Sequence, residues 1–175
     1  PRPRHPTCAD VTGVPTCPPP IFPAGRIAVV HAEGHFRVVA TAPFAPGEPV
    51  LEIEGAEIAR PSRWSIQVDE DVHLEVPRDT TDLHAVFARH PWRFLNHSCA
   101  PNAAVRGRTL VAVRAVARGE EITFDYNTTE LEMATPFDCR CGCGGRRVAG
   151  FVALASDERE RLRPLLAPHL LRRLA

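Results

Sequence analysis

The chain has 175 residues, which is enough for one domain with its own hydrophobic core but short for two. Its 21 basic and 21 acidic residues cancel, so no net field draws it to nucleic acid or to an anionic membrane, and we predict neither as a partner. No apolar run reaches the roughly 20 residues that span a bilayer, and the N-terminus lacks an apolar signal core, so we expect a cytoplasmic protein.

The first 25 residues contain a run of prolines at 18–20 and two cysteines, Cys8 and Cys17. We predict an extended or disordered arm, in which the two thiols are either a metal-binding pair or incidental. From there the pattern changes to short β-rich runs that are separated by Gly and Pro turns. The predicted strands are 27–31, 36–41, 50–53, 65–68 and 72–76.

One helix is predicted after these strands. Residues 79–82 offer N-cap side chains, and Leu83, Val86 and Phe87 follow at helical spacing until Pro91 ends the pattern. A hairpin is predicted from two apolar runs, 103–105 and 109–113, that flank Arg-Gly-Arg.

Two Gly-Glu pairs, at 47–48 and 119–120, each follow an apolar lead-in and precede a strand, which predicts two β corners of one kind without a full repeat. At the C-terminal end, Ser156 is a candidate N-cap for a second helix, whose leucines at 162, 165 and 166 predict packing on the domain. We expect Pro164 and Pro168 to interrupt this tail, and its arginines to form a solvated face.

The most unusual stretch is Arg-Phe-Leu-Asn-His-Ser-Cys-Ala-Pro-Asn at 93–102, which brings two amides, an imidazole and a thiol into ten residues. Two later stretches accompany it: Gly-Glu-Glu-Ile-Thr-Phe-Asp-Tyr at 119–126 and Cys-Arg-Cys-Gly-Cys at 139–143. Cysteines this close together bind metal more readily than they pair with one another.

Together the three stretches resemble the SET-domain family, in particular SET domains with a zinc-binding post-SET tail. The resemblance implies a mostly β fold of short strands, one short helix and a pseudoknot, in which the segment after the central motif threads through a loop. It also implies S-adenosylmethionine as cofactor and methyl transfer to a lysine side-chain amine of a protein. All 21 basic residues are arginine and none is lysine, which is typical of the codon bias of a GC-rich bacterial genome, so we expect a bacterial protein. We divide the chain into an arm (1–25), a SET domain (26–137), a post-SET segment (138–151) and a helical tail (152–175).

The resemblance also assigns the candidate site residues. Tyr126, the single tyrosine of the chain, would orient the acceptor amine; a phenol with a pKa of about 10 is a poor base near neutral pH. Phe124 matches the position at which the family uses Phe or Tyr to set the number of methyl groups, and Phe predicts more than one. Phe137 and Phe151 are candidates for the acceptor channel. The cofactor-binding candidates are Gly34, His35, Phe36, Arg93, Phe94, Asn96, His97 and Tyr126.

A four-thiolate zinc site follows from the resemblance, with Cys99 joined by Cys139, Cys141 and Cys143. The spacing departs from the family, because only Gly142 separates the last two cysteines where the family has about four residues. Thiolates on one zinc lie roughly 3.8 Å apart, whereas extended residues two apart span about 7 Å, so the backbone must fold sharply here. The neighbouring glycines permit such a fold.

Two other departures concern the cofactor and the substrate. The family's Gly-x-Gly motif keeps only Gly34, and its Tyr-x-Gly motif corresponds to Ile53-Glu54-Gly55, without the tyrosine. The insert between there and Arg93 is short, which predicts a small or less selective substrate groove. Two alternatives therefore stay open: a SET-fold enzyme that acts on a small-molecule amine, and a catalytically inactive, zinc-stapled binding module.

Overall fold

The computed structural model of the chain describes residues 22–32 and 34–174. Cys8, Cys17 and most of the predicted arm lie outside these residues. Phe22–Ala24, which the sequence assigns to the arm, form a strand that pairs with the next one. Within the described residues, no helix is long and apolar enough to cross a membrane.

Short strands supply most of the regular structure. In chain order they are β1 (Phe22–Ala24), β2 (Ile27–Ala32), β3 (His35–Ala40), β4 (Pro49–Glu52), β5 (Ala56–Ile58), β6 (Ile66–Asp69), β7 (Val72–Glu75), β8 (Asn96–His97), β9 (Ala103–Arg106), β10 (Thr109–Ala112), β11 (Thr123–Phe124), β12 (Phe137–Asp138) and β13 (Arg147–Val148). The α-helices are α1 (Leu83–Arg89), α2 (Ser156–Leu162) and α3 (Pro168–Leu171). The mostly β fold class is confirmed.

The strands form small sheets, with orders β1-β2-β3, β4-β10-β9 and β5-β7-β6, and the predicted hairpin is β9-β10. The pair that positions the site is β8 with β11, which run parallel, with Asn96 opposite Thr123 and His97 opposite Phe124. Two motifs that lie about 30 residues apart in sequence are therefore adjacent in the fold.

The two β corners have the same turn chemistry. The Glu48 side chain accepts a hydrogen bond from Ala45 N, and the Glu120 side chain accepts one from Ala117 N. Gly47 and Gly119 both have φ of +86°, a left-handed conformation that favours glycine. The two corners also face each other through a bridge between Phe44 and Val116. The prediction of two similar corners is confirmed.

Helix α1 begins at the predicted place, because the Asp82 carboxylate accepts hydrogen bonds from the backbone N–H groups of His84 and Ala85. Phe87 is buried in the main core, whereas Leu83 is 52% exposed, so the apolar stripe was wrong at its first position. The cap residue fixes where the helix starts, but the neighbouring elements decide which of its faces is covered.

The C-terminal tail differs from its prediction in two residues. The N-cap of α2 is Ala155, and Ser156 is the first helical residue, without a side-chain capping bond. Phe151 packs in a second small core with Leu162, Leu166 and Leu170, so it is not a channel residue. The predicted interruption is confirmed, since a 3-10 turn (Arg163–Leu165) separates α2 from α3.

The tail arginines do more than face solvent. Arg172 and Arg173 form ion pairs with Asp69 and Glu70 at the end of β6, and therefore tie the tail to the body of the domain. Such exposed pairs contribute about 0.2–1 kcal/mol each, so the buried leucines of the second core supply most of this attachment.

Candidate active site

A single cleft of about 1100 Å³ collects most of the predicted site residues, whereas Gly34, Cys99, Cys143 and Phe151 do not line it. This is at the upper end of the roughly 300–1,000 Å³ typical of small-molecule sites. The predicted residues that line it are His35, Phe36, Arg93, Phe94, Asn96, His97, Phe124, Tyr126, Phe137, Cys139 and Cys141. Gly34 directly precedes this lining, with φ of +81° and open space where a Cβ would stand.

The two asparagines of the central motif hold the later motif against it. Asn96 Nδ2 donates to Phe36 O at 3.0 Å and to Glu121 Oε1 at 2.8 Å. Asn102 Nδ2 donates to Glu121 O at 2.8 Å, and Asn102 Oδ1 accepts from Thr123 N at 2.9 Å. Amides suit this work because each one both donates and accepts. Their bonds fix β11, and therefore the chain that leads to Tyr126.

His97 connects the tyrosine with the cysteines. Its Nδ1 accepts a hydrogen bond from Tyr126 N at 3.3 Å, so the ring proton of the neutral imidazole lies on Nε2, which is 3.2 Å from Cys99 Sγ. Burial lowers the pKa of His97, and Asp125 only partly opposes this effect. His97 therefore points an N–H group at the sulfur of Cys99.

Tyr126 lies among aromatic rings, with its hydroxyl held in place. Its Oη donates to Leu95 O at 2.7 Å, and its ring centroid is 4.8 Å from that of Phe124 and 6.1 Å from that of Phe137. Burial raises the pKa of Tyr126 well above its usual range. The hydroxyl therefore stays protonated near neutral pH and is a poor base.

The structure shows how the chain accommodates its two missing motif residues. Phe36, at the second glycine position, packs its ring 5.2 Å from Phe87 and 5.2 Å from Phe94, while its carbonyl accepts from Asn96. Ile53, at the tyrosine position, is fully buried in the main core and does not line the cleft. Both side chains have become part of the hydrophobic packing around the site.

The cysteine cluster has the donors of a metal site. One ligand atom from each of His97, Cys99, Cys139 and Cys141 lies within 4.8 Å of the others. Cys143 also contacts Cys99; the backbone N–H of Arg146, followed by the Cys99 thiol, lowers the pKa of Cys143 to about 6. Cys143, the fourth predicted ligand, is not a member of that group, in which His97 takes the fourth place.

Left-handed glycines fold the short cysteine loop as its spacing requires. Gly142, Gly144 and Gly145 have φ values of +89°, +93° and +85°. Burial, followed by the neighbouring thiols, raises the pKa of Cys99. The donor set and the loop conformation fit a zinc ion, which would displace the thiol protons.

Arg146 anchors the far side of this loop, which the sequence reasoning did not anticipate. Its Nη1 lies 2.8 Å from Oδ2 of Asp125, a carboxylate that is fully buried directly before Tyr126. A second acid, Glu158 of α2, lies 3.4 Å from Arg146 Nε. The pair therefore joins the cysteine segment to the chain that carries the tyrosine.

Glu130 is a second unanticipated residue of the cleft. Its Oε1 accepts from Gln67 N at 2.8 Å, and its Oε2 lies 3.9 Å from His73 Nε2. It lines the cleft but is only 7% exposed, and burial raises its pKa to about 7. No local sequence signal marks it, because its burial depends on β6, which lies more than 60 residues away in the chain.

Replacing Glu130 by Gln is expected to change how stability depends on pH. A carboxyl that titrates near 4.5 when unfolded and near 7 when folded stabilises the fold below pH 4.5, and this contribution is lost as the pH rises through 7. The free energy of unfolding of the Glu130→Gln variant, relative to that of the wild type, should therefore rise by up to about 3 kcal/mol between pH 4 and pH 8. Urea unfolding at each pH measures this difference.

His169 titrates in both proteins, so its effect cancels in this comparison, whereas His73 lies 3.9 Å from Glu130 and is replaced by Gln in a parallel pair of proteins to remove its contribution. The exposed Glu132→Gln variant controls for the loss of one negative charge. A difference between wild type and Glu130→Gln that stays constant with pH would show that Glu130 is not held protonated by its burial.

The sequence profile of the SET domain matches residues 35–127, more than half of the chain. The chain therefore belongs to the SET domain family. The matched range contains β3 to β11 and ends one residue after Tyr126, so it includes the junction between the two motifs.

Three relatives illustrate what the chain is similar to. The "Histone-lysine N-methyltransferase, H3 lysine-36 specific" of Yarrowia lipolytica is 33% identical over 131 residues, which cover 67% of this chain and 17% of that protein. "Histone-lysine N-methyltransferase ASHR3" of Arabidopsis thaliana is 33% identical over 92 residues, covering 48% and 18%. "Histone-lysine N-methyltransferase, H3 lysine-36 specific" of Candida albicans is 48% identical over 58 residues, covering 29% and 7%. The chain thus spans less than a fifth of these relatives.

Proposed function

We propose that this protein is an S-adenosylmethionine-dependent methyltransferase that methylates a lysine side-chain amine of a protein. The observation that carries the proposal is the convergence of Asn96, His97 and Tyr126 on one cleft through the parallel pairing of β8 and β11. The family membership and the similarity to histone-lysine N-methyltransferases support it. We also propose that the cysteine segment is a post-SET tail that binds zinc, in a cytoplasmic protein of bacterial origin.

The cofactor candidates offer suitable groups around the cleft. When bound, S-adenosylmethionine supplies an electrophilic methyl carbon on a sulfonium centre. Arg93 offers a guanidinium for a carboxylate, and Phe36 and Phe94 offer aromatic surface. Asn96 and His97 are held by the contacts that fix β8 and β11, so the backbone around them is already positioned for a ligand.

Tyr126 is the residue that would position the acceptor. Its hydroxyl proton is donated to Leu95 O, which leaves the oxygen lone pairs to accept a hydrogen bond from an incoming amine. In-line displacement depends on the orientation of the amine. A tyrosine oxygen that is fixed in place and accepts a hydrogen bond from the amine would therefore contribute to the rate enhancement. The raised pKa of Tyr126 means that another group or solvent must take the proton of the lysine ammonium.

Phe124 lies beside Tyr126 and is 5% exposed, so it belongs both to the core and to the cleft wall. Without a hydroxyl it offers no hydrogen-bond partner for a water that would compete with a methylated amine. We therefore propose that the site adds more than one methyl group.

The direct test is release of S-adenosylhomocysteine in the presence of protein extract, compared with a panel of small amines. We expect turnover with protein and, by mass spectrometry, lysines that carry two or three methyl groups. Turnover with small amines alone would contradict a protein substrate, and methylation that stops at one group would contradict the role given to Phe124.

A further inference from the structure

Trp64 stands out as an exposed aromatic residue at the edge of the cleft. It lies between β5 and β6, is 49% exposed, and lines the cleft wall. Two guanidinium groups lie over its ring, with Cζ of Arg93 at 4.0 Å and Cζ of Arg63 at 4.6 Å from the ring centroid. We call these three residues the Trp64 stack. Stacking of this kind holds arginine side chains in place while leaving their N–H groups able to bind an anion.

The arginines of the stack differ from many others in the chain. Several surface arginines lie beside carboxylates, as in the pairs Arg26–Glu48, Arg114–Glu120 and Arg163–Glu160. Among the residues that the structure describes, no carboxylate oxygen lies within 4.0 Å of Arg63 or Arg93. An arginine-rich composition alone does not explain cations that stack on an indole at the mouth of a cleft.

Glu75 is the anion near the Trp64 stack, and it neutralises the positive charge of the two arginines only in part. It acts electrostatically on Arg93, but its Oε1 accepts a hydrogen bond from the Ser62 hydroxyl at 2.7 Å. Arg93 is half-buried, and this burial lowers its pKa. A cation in this condition gains most from an additional anionic partner.

The position of the stack makes it part of a path for a substrate chain. Trp64 and Arg93 line both the active-site cleft and a second cleft of about 410 Å³, whose wall also contains Val76, Pro77 and Arg78. A peptide whose lysine enters the first cleft therefore passes the stack when its neighbouring residues extend towards the second. The charged groups along this path are Arg63, Arg78 and Arg93 against Glu75, an excess of positive charge on a chain with no net charge.

We propose that Arg63 and Arg78, beside the indole of Trp64, bind acidic side chains that flank the acceptor lysine, so that the substrate is a protein segment with glutamate or aspartate beside that lysine. Arg93, which stacks on the same ring, remains available to the cofactor. The proposal rests on the proposed methyltransferase function. Arginine suits this role because its planar N–H groups match the two oxygens of a carboxylate, while the indole covers the aliphatic part of the same side chain. Flanking lysine or arginine would meet like charge and be rejected.

The test uses short peptides that contain one central lysine and differ only in its neighbours, which are glutamate, glutamine or arginine. Binding is measured by fluorescence anisotropy of labelled peptides, and methyl transfer by the release of S-adenosylhomocysteine. We expect affinity and kcat/KM about tenfold higher with glutamate than with glutamine, the size of one charge-assisted hydrogen bond, and lower again with arginine. Added salt should reduce the difference.

Charge reversal at the stack provides the matched comparison. Arg63→Glu should abolish the preference for glutamate and improve binding of the arginine peptide, whereas Arg118→Glu, an exposed residue that lines neither cleft, should leave the preference unchanged. Equal binding and equal turnover for all peptides would overturn the proposal. Acid-selective binding without methyl transfer would support the surface and contradict the methyltransferase function, so the two failures are distinguishable.

Discussion

Replacing Tyr126 by Phe is expected to lower the rate of methyl transfer about a hundredfold to a thousandfold, the usual effect of removing one positioned hydrogen-bonding group from an active site. The ring remains able to pack against His97 and Phe124, so the shape of the cleft should persist. Affinity for S-adenosylmethionine should change little. The loss should therefore appear in kcat under single-turnover conditions, while calorimetry of cofactor binding should show a similar Kd.

The same substitution removes the hydrogen bond to Leu95 O and should cost about 1 kcal/mol of stability. Thr128→Val is the matched control, because it also removes a hydroxyl-to-carbonyl bond, from Thr128 Oγ1 to Asp125 O, at a residue outside the cleft lining. It should unfold at a similarly lowered urea concentration and retain activity. A Tyr126→Phe enzyme with the rate of the wild type would contradict the role of the hydroxyl.

Removal of zinc is expected to have the second large effect. Metal analysis should find one zinc per chain, and chelation should lower both the unfolding temperature and methyl transfer. The physical reason is that the cysteine loop contributes Cys139 and Cys141 to the cleft wall, so an unligated loop leaves that wall without its support. A ligand that binds only the folded state at 100 times its Kd stabilises it by about 2.7 kcal/mol.

Variants separate this site from the other thiols of the chain. Cys139→Ser removes a buried ligand and should abolish stoichiometric zinc, whereas a protein with both Cys8→Ser and Cys17→Ser should keep it. Full activity after verified removal of the metal would contradict the proposal that zinc binding by the cysteine segment supports catalysis. Zinc retained by Cys139→Ser but lost in the double variant would place the metal at the N-terminal pair instead.

The parts of the site that could be predicted from the sequence are those whose chemistry is local and unusual. Asn96, His97 and Tyr126 stand in stretches whose polar residues have no reason to cluster in an ordinary loop, and the structure brings them to one cleft. The Gly-Glu corners were predictable for a similar reason. All the interactions that form each corner lie within a few residues: a left-handed glycine, and a glutamate whose side chain accepts a hydrogen bond from a backbone N–H of the same turn.

The residues that were missed depend on distant elements. Glu130 is held by Gln67 and Arg146 by Asp125, so neither position has a local sequence pattern. In the sequence, Trp64 is one aromatic residue in a β-rich region, and only the structure shows that two arginines stack on its ring. The errors at Leu83 and Phe151 also depend on distant elements, since Leu83 is 52% exposed and Phe151 is buried by the leucines of the C-terminal tail.

Titration calorimetry of S-adenosylmethionine into zinc-loaded protein tests the central claim most directly. We predict saturable binding of one cofactor per chain, which Asn96→Ala weakens because that substitution releases Phe36 O and Glu121 from their shared amide. No heat of binding at any accessible cofactor concentration, with zinc present and the protein folded, would contradict the methyltransferase and leave a SET-fold binding module.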